Sequence, residues 1–319
     1  MYIIAAFLLD ALLGDPRRVP HPVAGVGRVI RFWQERFYPR PDRKRQGFFF
    51  CVAVLSTVSA VVGLVLLCAS RLPWLYPAVV TYLLYSAVAW RSLKDESLPV
   101  ALALFDGDLE AARAALSRIV GRDTQNLDEK EIARAAIETI GENFIDGIFS
   151  VLFFMALGYA CGGAAGAALA CWFFKTASTL DSMVGYDNEH YHDFGRASAY
   201  LDDVLNFVPA RLGGVFALLA GACLGYSLPR GLRVFLRDRK KHKSPNSAHG
   251  ESAFAGLLGV SLGGGAAYGG VFEERPVIGD VDFREPEPAD ILRAHAILDA
   301  SVALSVLAAL FFFVFPAFS

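Results

Sequence analysis

GFFFCVAVLSTVSAVVGLVLLCA, residues Gly47–Ala69, runs for 23 positions without a charged side chain. A helix needs about 20 apolar residues to cross the hydrocarbon core of a bilayer, and this stretch meets that length. Its apolar residues follow neither a 3.6 nor a 2.0 period, so it has no polar face to offer water. The rest of the chain agrees: of 319 residues, 55% are hydrophobic and 19% charged, against about 45–50% and about 25% in an ordinary soluble domain. The reading is an all-α, polytopic transmembrane helical bundle.

Working outward, Pro73–Trp90 reads as a slightly short second span, and Val204–Tyr226 and Ile297–Phe318 as further spans. Ile148–Phe174 is long and interrupted by Gly158, Gly162, Gly163 and Gly166, which allows either one close-packed span or two re-entrant half-helices. The count is about five. Tyr2–Leu13 is too short for a span and has no basic segment before it, so it is expected to stay on the mature protein rather than act as a signal peptide. We expect a single integral membrane domain over 1–319, with a small helical insertion near 91–147 and a polar loop near 227–296. In the insertion, Asp108 is placed to cap one helix, and Asp128 with Glu131 to form a capping box on the next.

Formal net charge is −2, which argues against nucleic acid as a partner. Lys and Arg are unevenly spread: seven lie between Arg28 and Arg45, only Arg71 in the turn after the first span, and seven again in 91–147. The positive-inside rule places the amino terminus, the 91–147 insertion and the basic stretch 230–243 on the cytoplasmic side of an inner membrane. The five cysteines, Cys51, Cys68, Cys161, Cys171 and Cys223, fall in apolar runs without ligand spacing and read as packing residues.

Four constellations carry the residue types of a reactive site. Glu138, Glu142 and Asp146, with Asn143 beside them, would stack on one helix face, where like charges call for an offsetting cation; a solvated face is the plainer alternative. KTASTLDSMVGYDNEHYHDFGRASAY, Lys175–Tyr200, offers Lys175 to hold a phosphate, and Asp181 and Asp187 as hard-oxygen ligands for Mg²⁺. Its His190/His192 pair is read as surface polarity. Asp202, Asp203, Asn206, Pro209 and Arg211 open the fourth apolar run, where polar groups normally face a partner or a site. SPNSAHGES, Ser244–Ser252, precedes glycine-rich backbone at Gly259 and Gly263–Gly265 that is able to cradle phosphate but lacks the P-loop pattern. Near the amino terminus, Asp15 and His21 sit in a turn with Gly14, Pro16, Arg17, Arg18, Pro20 and Pro22.

Five ordered stretches carry a resemblance: LLGDPRRVPHPVAGVGRVI (Leu12–Ile30), ENFIDGIFSVLFF (Glu142–Phe154), KTASTLDSMVGY (Lys175–Tyr186), LDDVLNFVPARL (Leu201–Leu212) and SPNSAHGESAFAGLLGVSLGG (Ser244–Gly264). Together they resemble the CbiB/CobD family of cobalamin biosynthesis along nearly the whole chain. After SPN the family usually shows an aromatic and a proline where this chain has His249 and Gly250, while Glu251 is retained. The resemblance implies ligation of aminopropanol phosphate, or aminopropanol, to the propionate carboxylate of adenosylcobyric acid with ATP and Mg²⁺, giving adenosylcobinamide phosphate. The four constellations supply the residue types such a reaction needs: as a hypothesis, catalytic roles fall to Glu142, Lys175, Asp181 and Glu251, with Glu142 or Glu251 as the base, and metal ligation to Asp181, Asp187, Asp202 and Asp203. Substrate contacts are implied for Asp15, His21, Asn143, Asp146, Ser178, Ser182, Tyr186, Asn206, Arg211 and Asn246. The lipid bilayer and other late-stage cobalamin membrane enzymes are the implied partners. The competing reading is a membrane transporter or signalling relative without catalysis. Five plain spans would export Lys175–Tyr200 away from ATP, so a cytoplasmic site requires Ile148–Phe174 to turn back.

Overall fold

The computed structural model describes residues 1–16 and 21–311. Arg17, Arg18 and Pro20 of the amino-terminal turn, and the end of the last apolar run from 312 onward, lie outside the described residues. The helices in order are α1 (Tyr2–Leu13), α2 (Pro22–Phe37), α3 (Arg43–Ala69), α4 (Tyr76–Tyr85), α5 (Trp90–Phe105), α6 (Leu109–Leu116), α7 (Glu129–Asn143), α8 (Ser150–Val184), α9 (Arg196–Cys223), α10 (Leu228–Asp238), α11 (Ala248–Leu258) and α12 (Pro288–Ala309). A π-helical segment, Phe144–Phe149, joins α7 to α8. Among the described residues the one sheet is a short antiparallel pair, β1 (Ala266–Tyr268) and β2 (Val271–Glu273).

Among the described residues, four helical stretches are long and apolar enough to cross a membrane: Arg43–Ala69, Glu129–Val184, Arg196–Cys223 and Pro288–Ala309. The first shows why this is a membrane-type bundle. Phe50, Val54, Val58, Val62 and Leu66, spaced by four, form one buried stripe on α3, while Phe48, Val52, Val61, Leu64 and Val65 stand exposed. A helix apolar on its outward face as well as its inward one has lipid as its natural solvent.

Pro73–Trp90 does not make the expected second span. Helix α4 has ten residues, because the Leu83 carbonyl that would accept from Ala87 in a continuing helix is taken by the indole N–H of Trp172 at 2.8 Å and the Ser86 hydroxyl at 3.2 Å. The Ala87 N–H bonds Leu84 instead, and the helix closes.

Glu129–Val184 is not one rod either. A continuous helix would hold Phe154 and Phe174 about 30 Å apart, yet their rings stack with centroids 4.9 Å apart. The chain reverses at Gly162 and Gly163, the latter at φ 59°. The arms 150–161 and 164–184 then touch through backbone: a Cβ on Gly158 would lie 2.2 Å from the Gly166 carbonyl oxygen. The glycines of this run therefore build a helical hairpin, the alternative of two half-helices.

The chain folds into two compact units. Among the described residues, the first comprises Met1–Ala89, Ser150–Asn206 and 308–311, and is organised by α3 against α8, α1 against α4 and α2 against α3. Gly47 is essential to it, since a Cβ there would sit 2.0 Å from the Phe194 carbonyl oxygen. The second comprises Trp90–Phe149 and Phe207–Leu307. Helices α10 and α11 are its closest pair, joined where Gly256 meets Gly231 and where the Arg230 guanidinium donates to the last-turn carbonyls of Gly256 and Leu257. The expected caps form: Asp108 accepts from Ala111 at 2.9 Å, and Asp128 and Glu131 make a reciprocal capping box.

Candidate active site

In the second unit, α7 and α11 meet backbone to backbone. A Cβ on Gly250 would fall 2.0 Å from the Gly141 carbonyl oxygen, and one on Gly141 would fall 3.2 Å from the Glu251 nitrogen. Only two glycines permit that approach. It brings Glu251 of α11 into the electrostatic field of Glu138 and Glu142, which flank Gly141 on α7.

Each acid is held differently. Glu138, with a side chain 6% exposed, pairs with Arg122 at 2.6 Å and accepts the Gly263 backbone N–H at 2.7 Å. The glycine-rich stretch after α11 thus wraps a protein carboxylate at Gly263. Gly263 itself is at φ 78°, with the Pro276 carbonyl 2.3 Å from where a Cβ would be, so a side chain is excluded there. Glu251 is buried and accepts from His242 Nε2 at 3.0 Å. Glu142 is half-buried and feels the charges of His242, Arg275 and Arg122. His242 and Arg275 also line a cavity of about 140 Å³ with Lys241, Lys243, Ser244, Glu273, Glu274 and Pro276.

The electrostatics pose this group near neutrality. Burial disfavours the Glu251 carboxylate and, although the His242 hydrogen bond opposes it, pushes its pKa up to about 7. Burial disfavours the His242 imidazolium too, but the hydrogen bond and charge of Glu251, with Glu142 adding, more than offset it and raise His242 above its ordinary value. A buried carboxyl raised to about 7 and hydrogen-bonded to an imidazole is suited to general acid–base work.

Asp146 does not extend this row. The intervening π turn uses about one more residue per turn than an α-helix, so a four-residue spacing no longer stacks Asp146 over Glu142. Asn143, on the last turn of α7, donates to the Thr139 carbonyl at 3.0 Å. Asn246 accepts from Arg211 Nη1 at 3.1 Å.

The other nominated residues belong to the first unit. Lys175, Ser178, Asp181 and Ser182 lie along the second arm of α8, where Ser182 bonds back to the Ser178 carbonyl and the Asp181 carboxylate folds against Gly185. Tyr186 and Asp187 are exposed in the following loop, and Asp187 meets His192 at 2.6 Å. His190 instead stacks on Tyr38, so the two histidines of that loop face different partners. Asn206 donates to Asp202 at 3.0 Å and accepts from Ser150 at 2.6 Å, with Asp203 half-buried beside them. Asp15 and His21, 3.3 Å apart, line an apolar cavity of about 560 Å³ with Tyr82 and Tyr85. Among the described residues, no three His, Cys, Asp or Glu side chains converge as a metal-holding group, so the four aspartates expected as ligands do not form one cluster.

A family model described as CobD/Cbib protein matches residues 3–298. The chain belongs to the CobD/CbiB family. Curated relatives named cobalamin biosynthesis protein CobD include one from Pelobacter propionicus, 46% identical over 86% of this chain and 83% of its own, and one from Clostridium perfringens, 39% identical over 97% and 96%. A third, from Desulfotalea psychrophila, is 42% identical over 98% of this chain and 97% of its own. No solved structure matches. Sequence reasoning missed His242, Arg122 and Arg275 as neighbours of the acids. His242 is embedded in the basic run Lys240–Lys243 and reads there as surface charge.

Proposed function

We propose that this chain ligates aminopropanol phosphate, or aminopropanol, to the propionate carboxylate of adenosylcobyric acid at the expense of ATP, producing adenosylcobinamide phosphate in cobalamin biosynthesis. The observation that carries the reading is the buried Glu251–His242 pair beside Glu142, at the α7–α11 crossing of a CobD/CbiB family member.

The chemistry explains the need for such a pair. A carboxylate is a poor acyl donor, so one of its oxygens first attacks the γ-phosphorus of ATP, the bond to ADP breaks, and an acyl phosphate forms. The amine lone pair then attacks the acyl carbon, the carbon–oxygen bond breaks, and phosphate leaves. The amine must arrive without its extra proton and lose another as the amide forms. Glu251, with His242, is the acceptor we assign, and Glu142 is assigned to binding the amine beside them. Removing such a base costs about 10²–10⁴-fold in rate.

Magnesium, when bound, offsets charge on the nucleotide phosphates. It takes hard oxygen ligands and is held by one or two carboxylates plus phosphate oxygens. Asp181, Asp187, Asp202 and Asp203 have that chemistry; Asp202 is already oriented by Asn206. Lys175 is assigned to phosphate. The site is assigned to the cytoplasmic face of the inner membrane, which the basic loops support.

Purified chain in detergent, given adenosylcobyric acid, aminopropanol phosphate and Mg-ATP, is expected to yield the amide and ADP. Neither product from well-folded protein would sink the synthase reading and favour a transporter or signalling relative. Lys175→Ala and Asp181→Ala are each expected to abolish product without affecting membrane insertion; unchanged turnover would remove them from the site.

A further inference from the structure

A second group of side chains in the same unit is cationic and takes no part in the acid cluster. Around α10 the acids are already engaged: Asp280 serves Arg233 and Arg237, and Asp238 serves Arg237 and Lys241. Arg239 and Arg211 have no such partner. Among the described residues neither guanidinium lies within ion-pair distance of an acid, although each is close enough for their like charges to interact. Arg211 lies over the Phe207 ring with Nη1 on Asn246 Oδ1, and Arg239 Nε is buried with no hydrogen-bond partner.

His249 completes the group from the first turn of α11, and it is 0% exposed. Its Nδ1 lies 3.1 Å from the Asn246 carbonyl oxygen, which only accepts, so in the neutral ring Nδ1 carries the hydrogen. Nε2, on the far side of the ring from that carbonyl, is then a bare lone pair, buried and, among the described residues, without a partner. The ring stays neutral here, since burial and then the charges of Arg211, Arg239 and Lys240 push its pKa down to about 4. One end of the group lacks an acceptor for Arg239 Nε–H, and the other lacks a donor for His249 Nε2. The Ser247 side chain makes no cap bond on α11, and the helix dipole adds favourable potential for an anion.

We infer that Arg211, Arg239 and His249 form a subsite for a singly protonated phosphate group. Its anionic oxygens accept from the two guanidiniums, and its remaining P–OH donates to His249 Nε2. A carboxylate or a sulfate supplies the oxygens but not the hydrogen. The subsite therefore selects phosphate over sulfate, a distinction that a mere basic patch does not make. The inference deepens the ligase reading by naming where a phosphate ester is held, whether it belongs to the aminoalkyl phosphate or to the nucleotide, and it is tested by binding alone.

The experiment is equilibrium binding of labelled inorganic phosphate to the full chain in detergent near pH ~6, where phosphate esters are about half singly protonated. Saturable binding is expected, with sulfate about tenfold or more weaker as a competitor. Arg239→Gln and Arg211→Gln should each weaken phosphate about tenfold or more, and His249→Leu, which has no side-chain acceptor, should erase the preference over sulfate. If the Arg211 variant fails to fold, Arg239→Gln and the competition series on the unaltered chain carry the test. Displacement by aminopropanol phosphate but not by Mg-free ADP identifies the amine substrate as the source, and the reverse identifies the nucleotide. The inference is overturned if sulfate competes as well as phosphate, if neither ester displaces it, if the variants bind like the parent, or if only phosphatidylglycerol vesicles compete. A chain that binds phosphate selectively yet forms no amide keeps the subsite and loses the ligase reading. Amide formation without phosphate selectivity does the opposite.

Discussion

Helices α3 and α11 are both tightly packed, but against different things, and the contrast separates what holds this protein in a membrane from what gives it chemistry. On α3 a single stripe from Phe50 to Leu66 is buried and the outward residues of that stretch are apolar apart from Ser56. Every residue of α11 is buried, Glu251, Ser252 and His249 included. A polar group taken out of water costs stability unless it is hydrogen-bonded, and on α11 partners from the loop just before the helix meet that need: Asn246 for His249, and His242 for Glu251. The first helix is specified by its solvent, the second by its neighbours.

The largest effect that would break this contrast is on turnover. Glu251→Gln keeps shape and removes the base, and product formation is expected to fall about 10²-fold or more while the protein remains folded; a variant with parental kcat would strip α11 of its catalytic reading. The same substitution has a pH signature. Glu251 has a folded pKa of about 7 against an ordinary 4.5, so its contribution to stability is present at low pH and is lost as pH rises from about 4.5 through about 7. His242, also raised, loses its contribution as pH rises above its ordinary 6.5, in the same direction. Thermal stability should therefore decline between pH ~5.5 and ~8, and Glu251→Gln should flatten the decline. A melting temperature that rises over that range contradicts the assignment.

Next in size is Glu138→Ala, which leaves the Arg122 charge buried without its carboxylate. A cost of about 3–5 kcal/mol is expected, read by denaturation in detergent. Its counterpart in the first unit is Gly47→Ala, where the added methyl meets the Phe194 backbone and overpacking costs about 1–3 kcal/mol. The smallest effect is expected on the lipid-facing side of α3. Val65→Leu, at an exposed position, should alter stability by less than about 0.5 kcal/mol, and a larger loss would show that this face packs against protein rather than lipid.

The hairpin of α8 offers a further test. With the chain reversing at Gly162–Gly163, both ends of the hairpin emerge on one side, so a single cysteine at the exposed Tyr186 position should label from the cytoplasm. Labelling only from outside would remove Lys175–Tyr200 from any site that uses cytoplasmic ATP.

Several of these features are legible in the amino-acid sequence alone. The length and chargelessness of Gly47–Ala69 specify a membrane helix, the Asp128/Glu131 spacing predicts its capping box, and the glycines from Gly158 to Gly166 mark a breakable segment. Each depends on residues within a few turns of one another. Other elements are not legible there, because their causes are remote. Trp172 ends α4 by taking the Leu83 carbonyl, and nothing within Pro73–Trp90 announces that donor. The π turn at Phe144–Phe149 displaces Asp146 from the row that α-helical spacing predicts.

By itself, then, the sequence determined the solvent of this protein, the helical class of its fold, and through ordered motifs the family to which it belongs. Lipid acts on each helix through its own composition, and motif order is preserved along the chain. Only the tertiary structure decided that Gly141 meets Gly250 and that Glu138 is closed off by Arg122 and Gly263. It also decided that a histidine hidden in a basic run pairs with Glu251. These arrangements depend on contacts between residues up to 125 positions apart, whose strength comes from burial that no local pattern encodes.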